Sequence, residues 1–152
     1  MKNYTEPSMH SAEHILNQTM VRMFDCGRCF SSHIEKKKSK CDYRFDRDLS
    51  TQELQEIEKR VNDIIQQDLP VTEEFLSINA AASRFNLDRL PAGAKGPIRI
   101  VKIGDYDACP CIGDHVAATR AIGTFSLASS SHNDGVLRLR FKISDTDSDT
   151  NA

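Results

Sequence analysis

The stretch IRIVKIGDYDACPCIGDHVAATRAIGTF, residues 98–125, decides how this chain is read. It opens with a β-rich run at 98–103. Residues 105–116 then crowd two cysteines, a glycine, an aspartate and a histidine into a dozen positions. Such a segment admits three readings: a redox pair, a loop tied down for structural reasons, or half of a metal site whose other half lies elsewhere. Cys111 and His115 stand four apart, and Gly113 between them allows a tight turn.

The other half lies near the start. Residues 8–24 read as a helix that Ser8 can cap, because Met9, Ala12, Leu16, Met20 and Met23 keep close to a period of 3.6. His10 and His14 then project one turn apart from the same helical face. Alone, the pair equally describes two polar surface histidines, just as Cys111 could be a small buried hydrophobe and His115 a loop histidine. Taken together, the two pairs make a set of three nitrogens and one sulfur, which zinc accepts readily. Cys26 and Cys29 also have C-x-x-C spacing, but they follow a helix instead of leading from a strand into one. Cys26, Cys29 and Cys41 are therefore expected to be packing thiols.

The chain has 152 residues, a net charge of −2 and 28% charged side chains, which suits one core and excludes a globally basic nucleic-acid binder. No apolar run approaches the ~18 residues of a membrane span, and the first residues lack the apolar segment of a signal peptide, so a cytosolic protein is expected. Five cysteines at uneven spacing also argue against a disulfide framework. One domain is expected over residues 1–143, followed by a disordered acidic tail at 144–152.

Between the two motifs, residues 30–46 read as a hairpin with a basic tip. Ser50 and Glu53 form a capping box for a helix striped by Leu54, Ile57, Val61, Ile64 and Ile65, and Pro70 marks its exit. Residues 71–78 read as a strand, 79–85 as a short helix and 90–97 as a loop. Beyond the second motif, residues 122–127 read as a strand, SSSHNDG (129–135) as a turn, and 136–143 as a strand of strict alternation. Leu137, Leu139, Phe141 and Ile143 face one way on it, and Arg138, Arg140 and Lys142 the other.

Together HSAEH (10–14), RFD (44–46), the capped helix, residues 98–125 and GVLRLRF (135–141) resemble the editing domain of alanyl-tRNA synthetases and its free-standing relatives. Threonyl-tRNA synthetases share it as the second additional domain. The resemblance runs from about residue 8 to 143. It implies an α/β fold of the α+β type, in which helices pack on an antiparallel sheet and the two motifs meet in a cleft. It further implies a hydrolase that removes a wrong amino acid from tRNA, with His10, His14, Cys111 and His115 as the expected zinc ligands and catalytic residues; in relatives that work without a metal the same residue types act as general bases and positioners. The chain begins almost at the first motif, as the shortest forms acting in trans do. Serine attached to the alanine-accepting tRNA is the expected substrate.

Three protein ligands plus water is the usual catalytic arrangement of zinc, whereas a closed set of four is usual for a structural ion. Candidates for sensing the substrate hydroxyl are Ser32, His33 and Asp46, joined in the substrate-binding set by Gly113 and Asp114 of the second motif. The family's C-G-G-T-H-V is CIGDHV here, so a carboxylate at 114 replaces a hydroxyl, and Cys109 stands where many relatives carry an acid. Lys36, Lys37, Lys38 and Lys40, with Arg138, Arg140 and Lys142, could neutralise tRNA phosphates. Two other functions compete: a tRNA- or partner-binding module that has lost hydrolysis, and a metal-dependent hydrolase of a small ester or amide.

Overall fold

Strand alternation in the second motif sets the position of everything near the site. A computed structural model describes residues 6–87, 90 and 97–144. Its elements are α1 (Pro7–Phe24), β1 (Ser31–His33), β2 (Ser39–Arg44), α2 (Thr51–Gln66), β3 (Val71–Leu76), α3 (Ile78–Arg84), β4 (Ile98–Ile103), β5 (Asp107–Pro110), a 3₁₀ turn (Thr119–Ile122), β6 (Thr124–Asn133) and β7 (Val136–Ser144). The strands form two antiparallel sheets, of order β1-β2-β7-β6 and β3-β4-β5. This is the α+β class expected, with the sheet divided in two.

Within the smaller sheet, Ile103 pairs with Asp107 and Val101 with Cys109. Paired residues share a face, and alternation carries the same face on to Cys111, whose N–H donates to Arg99 O at 3.2 Å. Asp107, Cys109 and Cys111 thus face α1. Ile98 and Ile100 face the other way and make a small second core with Ala81 of α3. Both faces of β4 carry buried apolar residues, Ile98 and Ile100 on one and Val101 and Ile103 on the other, with Arg99 and Lys102 only partly buried.

Helix α1 is correspondingly buried almost all round, and Ala12, Ile15, Leu16 and Met20 are fully inaccessible. It packs against α2, the 3₁₀ turn, β5 and β7. The helix starts one residue earlier than expected. Glu6 occupies the cap position without a side-chain bond and Pro7 follows it, so Ser8 lies inside the first turn. Asp25, at φ 53°, ends the helix by donating its N–H to Val21 O. Helix α2 carries the full capping box at Ser50 and Glu53, and Ile57, Val61, Ile64 and Ile65 face the core. Phe125, Leu137, Leu139 and Phe141 line that core from the larger sheet.

Two expectations need correction. SSSHNDG is not a seven-residue turn: β6 continues to Asn133, and only Asp134 and Gly135, at φ 55° and 78°, turn the chain. Asp-Gly with two positive φ values is the tight hairpin connection that matches strand twist, and the serines before it belong to an exposed strand face. β5 is an additional strand, too short and too rich in cysteine and proline to register as one by pattern. The loop expected at 90–97 and the tail expected at 144–152 lie outside the described residues, except for Leu90, Pro97 and Ser144, the last of which ends β7.

Gly123 joins the 3₁₀ turn to β6 at φ 103°, and a Cβ there would clash with Ser144 O. Gly123→Ala combines a left-handed backbone with a backbone clash, and is expected to cost about 2 kcal/mol or more of folding free energy, read as a lower urea midpoint at unchanged slope.

Candidate metal centre and cavity

His10 and His14 point from α1 toward the loop after β5, where Cys111 and His115 face them. The donor atoms of the four residues all lie within 4.8 Å of one another. His10 and His115 stack with ring centroids 4.3 Å apart, and His14 stands edge-on to them at 5.1 and 4.5 Å. His10 Nε2 is 3.3 Å from Cys111 Sγ.

Each imidazole is oriented by a contact at its other nitrogen. His10 Nδ1–H donates to the Asp114 carbonyl at 3.2 Å, and because a carbonyl only accepts, neutral His10 must present an Nε2 lone pair to the cluster. His115 Nδ1 is 2.9 Å from Ser11 Oγ, which also accepts the Val116 N–H at 3.1 Å. His14 Nδ1 faces Asp107 Oδ2 at 3.6 Å. Asp107 is in turn held by Arg28 at 2.6 Å and by Gln18 Nε2 at 2.9 Å. The turn carrying Cys111 is pinned from β4, since Arg99 donates to the carbonyls of Cys111 at 3.2 Å and Gly113 at 2.8 Å.

The electrostatics follow from burial and proximity. Burial opposes ionisation of Cys111, but the three imidazoles of His10, His115 and His14 beside it outweigh that and bring the thiol down to about 2. Burial lowers His115 to about 4. Burial pulls His14 down as well, yet bonds to Asp107 and Cys111 prevail and raise it. Burial likewise disfavours the Asp107 carboxylate, but His14 and Arg28 hold it well below the ordinary carboxylate range. Cys109 moves the other way, its thiol raised chiefly by burial.

A zinc ion fits this donor set on the protein's own terms. His115 Nε2 is a buried polar atom with no hydrogen-bond partner among the described residues, which is costly unless something is bound there. Three imidazoles and one thiolate, oriented from behind, are donors of the kind zinc takes.

The cluster opens onto a cavity of about 590 Å³, whose wall includes Phe30, Ser32, Ile34, Pro110 and Ile112. Of the expected substrate contacts, Ser32 lines this cavity. His33, its neighbour on β1, alternates to the opposite face and pairs with Glu35 at 2.7 Å, and Asp46 is exposed on another part of the surface. Gly113 is buried and its N–H reaches Cys111 Sγ at 3.4 Å. Asp114 is exposed and meets His10 through its main chain, so the expected role of its carboxylate beside the metal is taken by a carbonyl.

Four residues near the site were not singled out by sequence: Ser11 and Glu13 within the first motif, Arg28 between two cysteines, and Asp107. Glu13 is buried with its Oε1 at 3.8 Å from His10 Nε2 and 4.0 Å from His14 Nε2. Cys29 Sγ approaches its other oxygen at 3.6 Å, and Glu13, Cys29 and Cys41 form a second donor group with the same 4.8 Å spacing. The signal for Asp107 was its two-residue step from Cys109. Cys26 is separate from all of these and donates to Met20 O at 3.6 Å.

On the larger sheet, the face turned away from the core carries Lys40, Arg138, Arg140 and Lys142, and exposed Lys36, Lys37 and Lys38 cap the adjoining hairpin. Arg138 is not free charge, because both its Nε and Nη2 donate to Asp42 on β2, at 2.7 and 2.9 Å.

The class is thus an α+β domain that assembles an imidazole–thiol centre between a central helix and the loop after an edge strand. Over residues 98–140 the chain matches the family model of the threonyl and alanyl tRNA synthetase second additional domain. Alanine–tRNA ligase of Methanopyrus kandleri is 30% identical over 136 residues, 87% of this chain and 15% of the ligase. That of Methanocella arvoryzae is 33% identical over 142 residues, 90% of this chain and 16% of the ligase. The alanyl-tRNA editing protein AlaX-L of Pyrococcus horikoshii is 33% identical over 121 residues, 79% of this chain and 29% of that protein. The chain therefore spans about a sixth of the ligases and under a third of the editing protein. Among the described residues no helix is long and apolar enough to cross a membrane.

The Asp42–Arg138 pair yields a pH prediction. Hydrogen bonding to Arg138 lowers the Asp42 carboxyl below its ordinary value, so the pair stabilises the fold above about pH 4 and loses that contribution as pH falls. Arg138→Ala is expected to lower stability slightly at pH 7, with the difference from wild type vanishing at low pH, as followed by urea unfolding across pH.

Proposed function

We propose that the chain hydrolyses the ester between a wrongly attached amino acid and the terminal ribose of tRNA, with serine on the alanine-accepting tRNA as the substrate. The observation that carries this reading is the convergence of His10, His14, Cys111 and His115 in one donor cluster, of which His10, His14 and Cys111 line a cavity large enough for an aminoacyl-ribose end. The family supports it, as do relatives whose names include an alanyl-tRNA editing protein. A cytoplasmic location follows, because charged tRNA is made and used there.

In this reading His10, His14, Cys111 and His115 hold a zinc ion, which when bound supplies Lewis acidity and a water of lowered pKa. The protein's own groups position and insulate. Asp114 O, Ser11 Oγ and Asp107 keep the three imidazoles turned toward the centre, and Arg99 keeps the Cys111 turn closed. Phe30, Ile34, Pro110 and Ile112 form an apolar wall that excludes bulk water from the ester. Ser32, half-buried on the cavity wall, bonds a substrate hydroxyl in this reading. A site that bonds a hydroxyl rejects the analogue without it by as much as ~10⁴–10⁵, which is the discrimination between serine and alanine that editing requires.

Lys36, Lys37 and Lys38, with Lys40, Arg140 and Lys142, meet tRNA phosphates. Arg138, committed to Asp42, contributes shape more than charge.

Two experiments test the reading. Purified protein is expected to release serine from mischarged alanine tRNA, with His10→Ala and Cys111→Ala each slowing release by about 100-fold or more, and a chelator doing the same reversibly on zinc return. Full activity in both variants sinks the assignment, and tRNA binding without release by wild type makes the chain a binding module. Replacing Lys36, Lys37 and Lys38 together with alanine is expected to lower the slope of log affinity against log salt by about 2–3, leaving release at saturating tRNA unchanged.

A further inference from the structure

The three contacts that orient the imidazoles all lie at Nδ1, on the side away from the cavity. Glu13 is different. It extends from α1 between His10 and His14, lines the cavity, and brings Oε1 to 3.8 and 4.0 Å from the two Nε2 atoms. Those distances exceed hydrogen bonding, so Glu13 does not fix the tautomer of either ring. It lies instead on the side where substrate must sit. Cys29, a weak donor, holds its far oxygen at 3.6 Å and so directs the near one toward the centre. Among the described residues, the other charged side chain on the cavity wall, Arg28, is engaged with Asp107 at 2.6 Å. The wall thus presents one carboxylate against the reacting groups and a cation already neutralised behind them.

An aminoacyl ester differs from its parent amino acid in one electrostatic respect: the carboxylate charge is gone and the α-ammonium remains, two bonds from the scissile carbon. We propose that Glu13 receives that α-ammonium, making the site specific for esters with a free α-amine and against those whose amine is acylated. This rests on the hydrolytic reading above and adds the recognition of the substrate's charged end. A charge-assisted bond in a buried site fixes the amine on one side and so aims the carbonyl carbon at the Cys111–His10 side of the cluster.

The test uses the full chain and two stable probes, the 3′-amide analogue of seryl-adenosine and its N-acetyl derivative, with affinities measured by calorimetry. Wild type is expected to favour the free amine by about 10- to 100-fold. Glu13→Gln, which keeps shape and removes charge, is expected to bring the ratio near one by weakening only the free-amine probe, with bound zinc per chain unchanged. Glu13→Asp should retain part of the preference. An unchanged ratio in Glu13→Gln, equal weakening of both probes, or loss of zinc would overturn the ammonium contact, the last by making Glu13 a metal ligand. The parent reading is judged separately: serine release by a wild type that does not prefer the free amine overturns the contact alone, and a free-amine preference without release overturns hydrolysis alone.

Discussion

Helix α1 is buried on nearly every side, yet six of its inaccessible residues are polar: His10, Ser11, Glu13, His14, Asn17 and Thr19. A polar side chain inside a protein is costly unless it is bonded, so each of these needs a partner from a distant part of the chain. Thr19 Oγ1 donates to Ile15 O and also meets Tyr106 Oη at 2.6 Å. Asn17 Oδ1 accepts from Tyr43 Oη at 2.8 Å and from the Cys29 N–H at 3.1 Å. His10, Ser11 and His14 take theirs from the second motif. Folding the core and assembling the site are consequently one event, because the helix cannot be buried until β5 and its loop are in place.

The two sheets divide the work. The larger one encloses the apolar side of α1 and α2 with Leu137, Leu139 and Phe141, and leaves its other face to basic and hydroxyl side chains. The smaller one has little surface to spare, and its job is alignment: alternate residues of β5 deliver Asp107, Cys109 and Cys111 to α1, and Arg99 of β4 closes the turn that follows. Thr119 ties this loop to the rest by accepting the Leu69 N–H at 2.9 Å and donating to Ile64 O at 2.9 Å.

How much of this was legible in the sequence depends on the range of the interactions. Elements set by local chemistry read well: the capping box at Ser50 and Glu53, the alternation of β7, and the hairpin around the lysines. The four donors were legible because helical spacing makes one pair and a glycine-containing turn the other. Residues that act through distant contacts were not. Nothing local tells that Arg28 will reach Asp107, or that the Asp107-Cys109-Cys111 spacing is a strand face, because β5 is only Asp107–Pro110. The apolar stripe expected on α1 was too narrow, since a helix covered on all sides has no outward face against which a stripe can be defined. SSSHNDG misled because serine is common both in turns and on open strands.

The contact between His10 and Asp114 has a consequence for how such a site can change over time. The imidazole is held by a carbonyl, which every amino acid supplies, while the side chain at 114 points outward. Position 114 is therefore free to change the rim without disturbing the ring behind it. Ser11, whose hydroxyl does both jobs at once for His115 and Val116, has no such freedom. Substitution is tolerated on the loop and not on the helix, so the rim of the cluster can change while its donors stay in place.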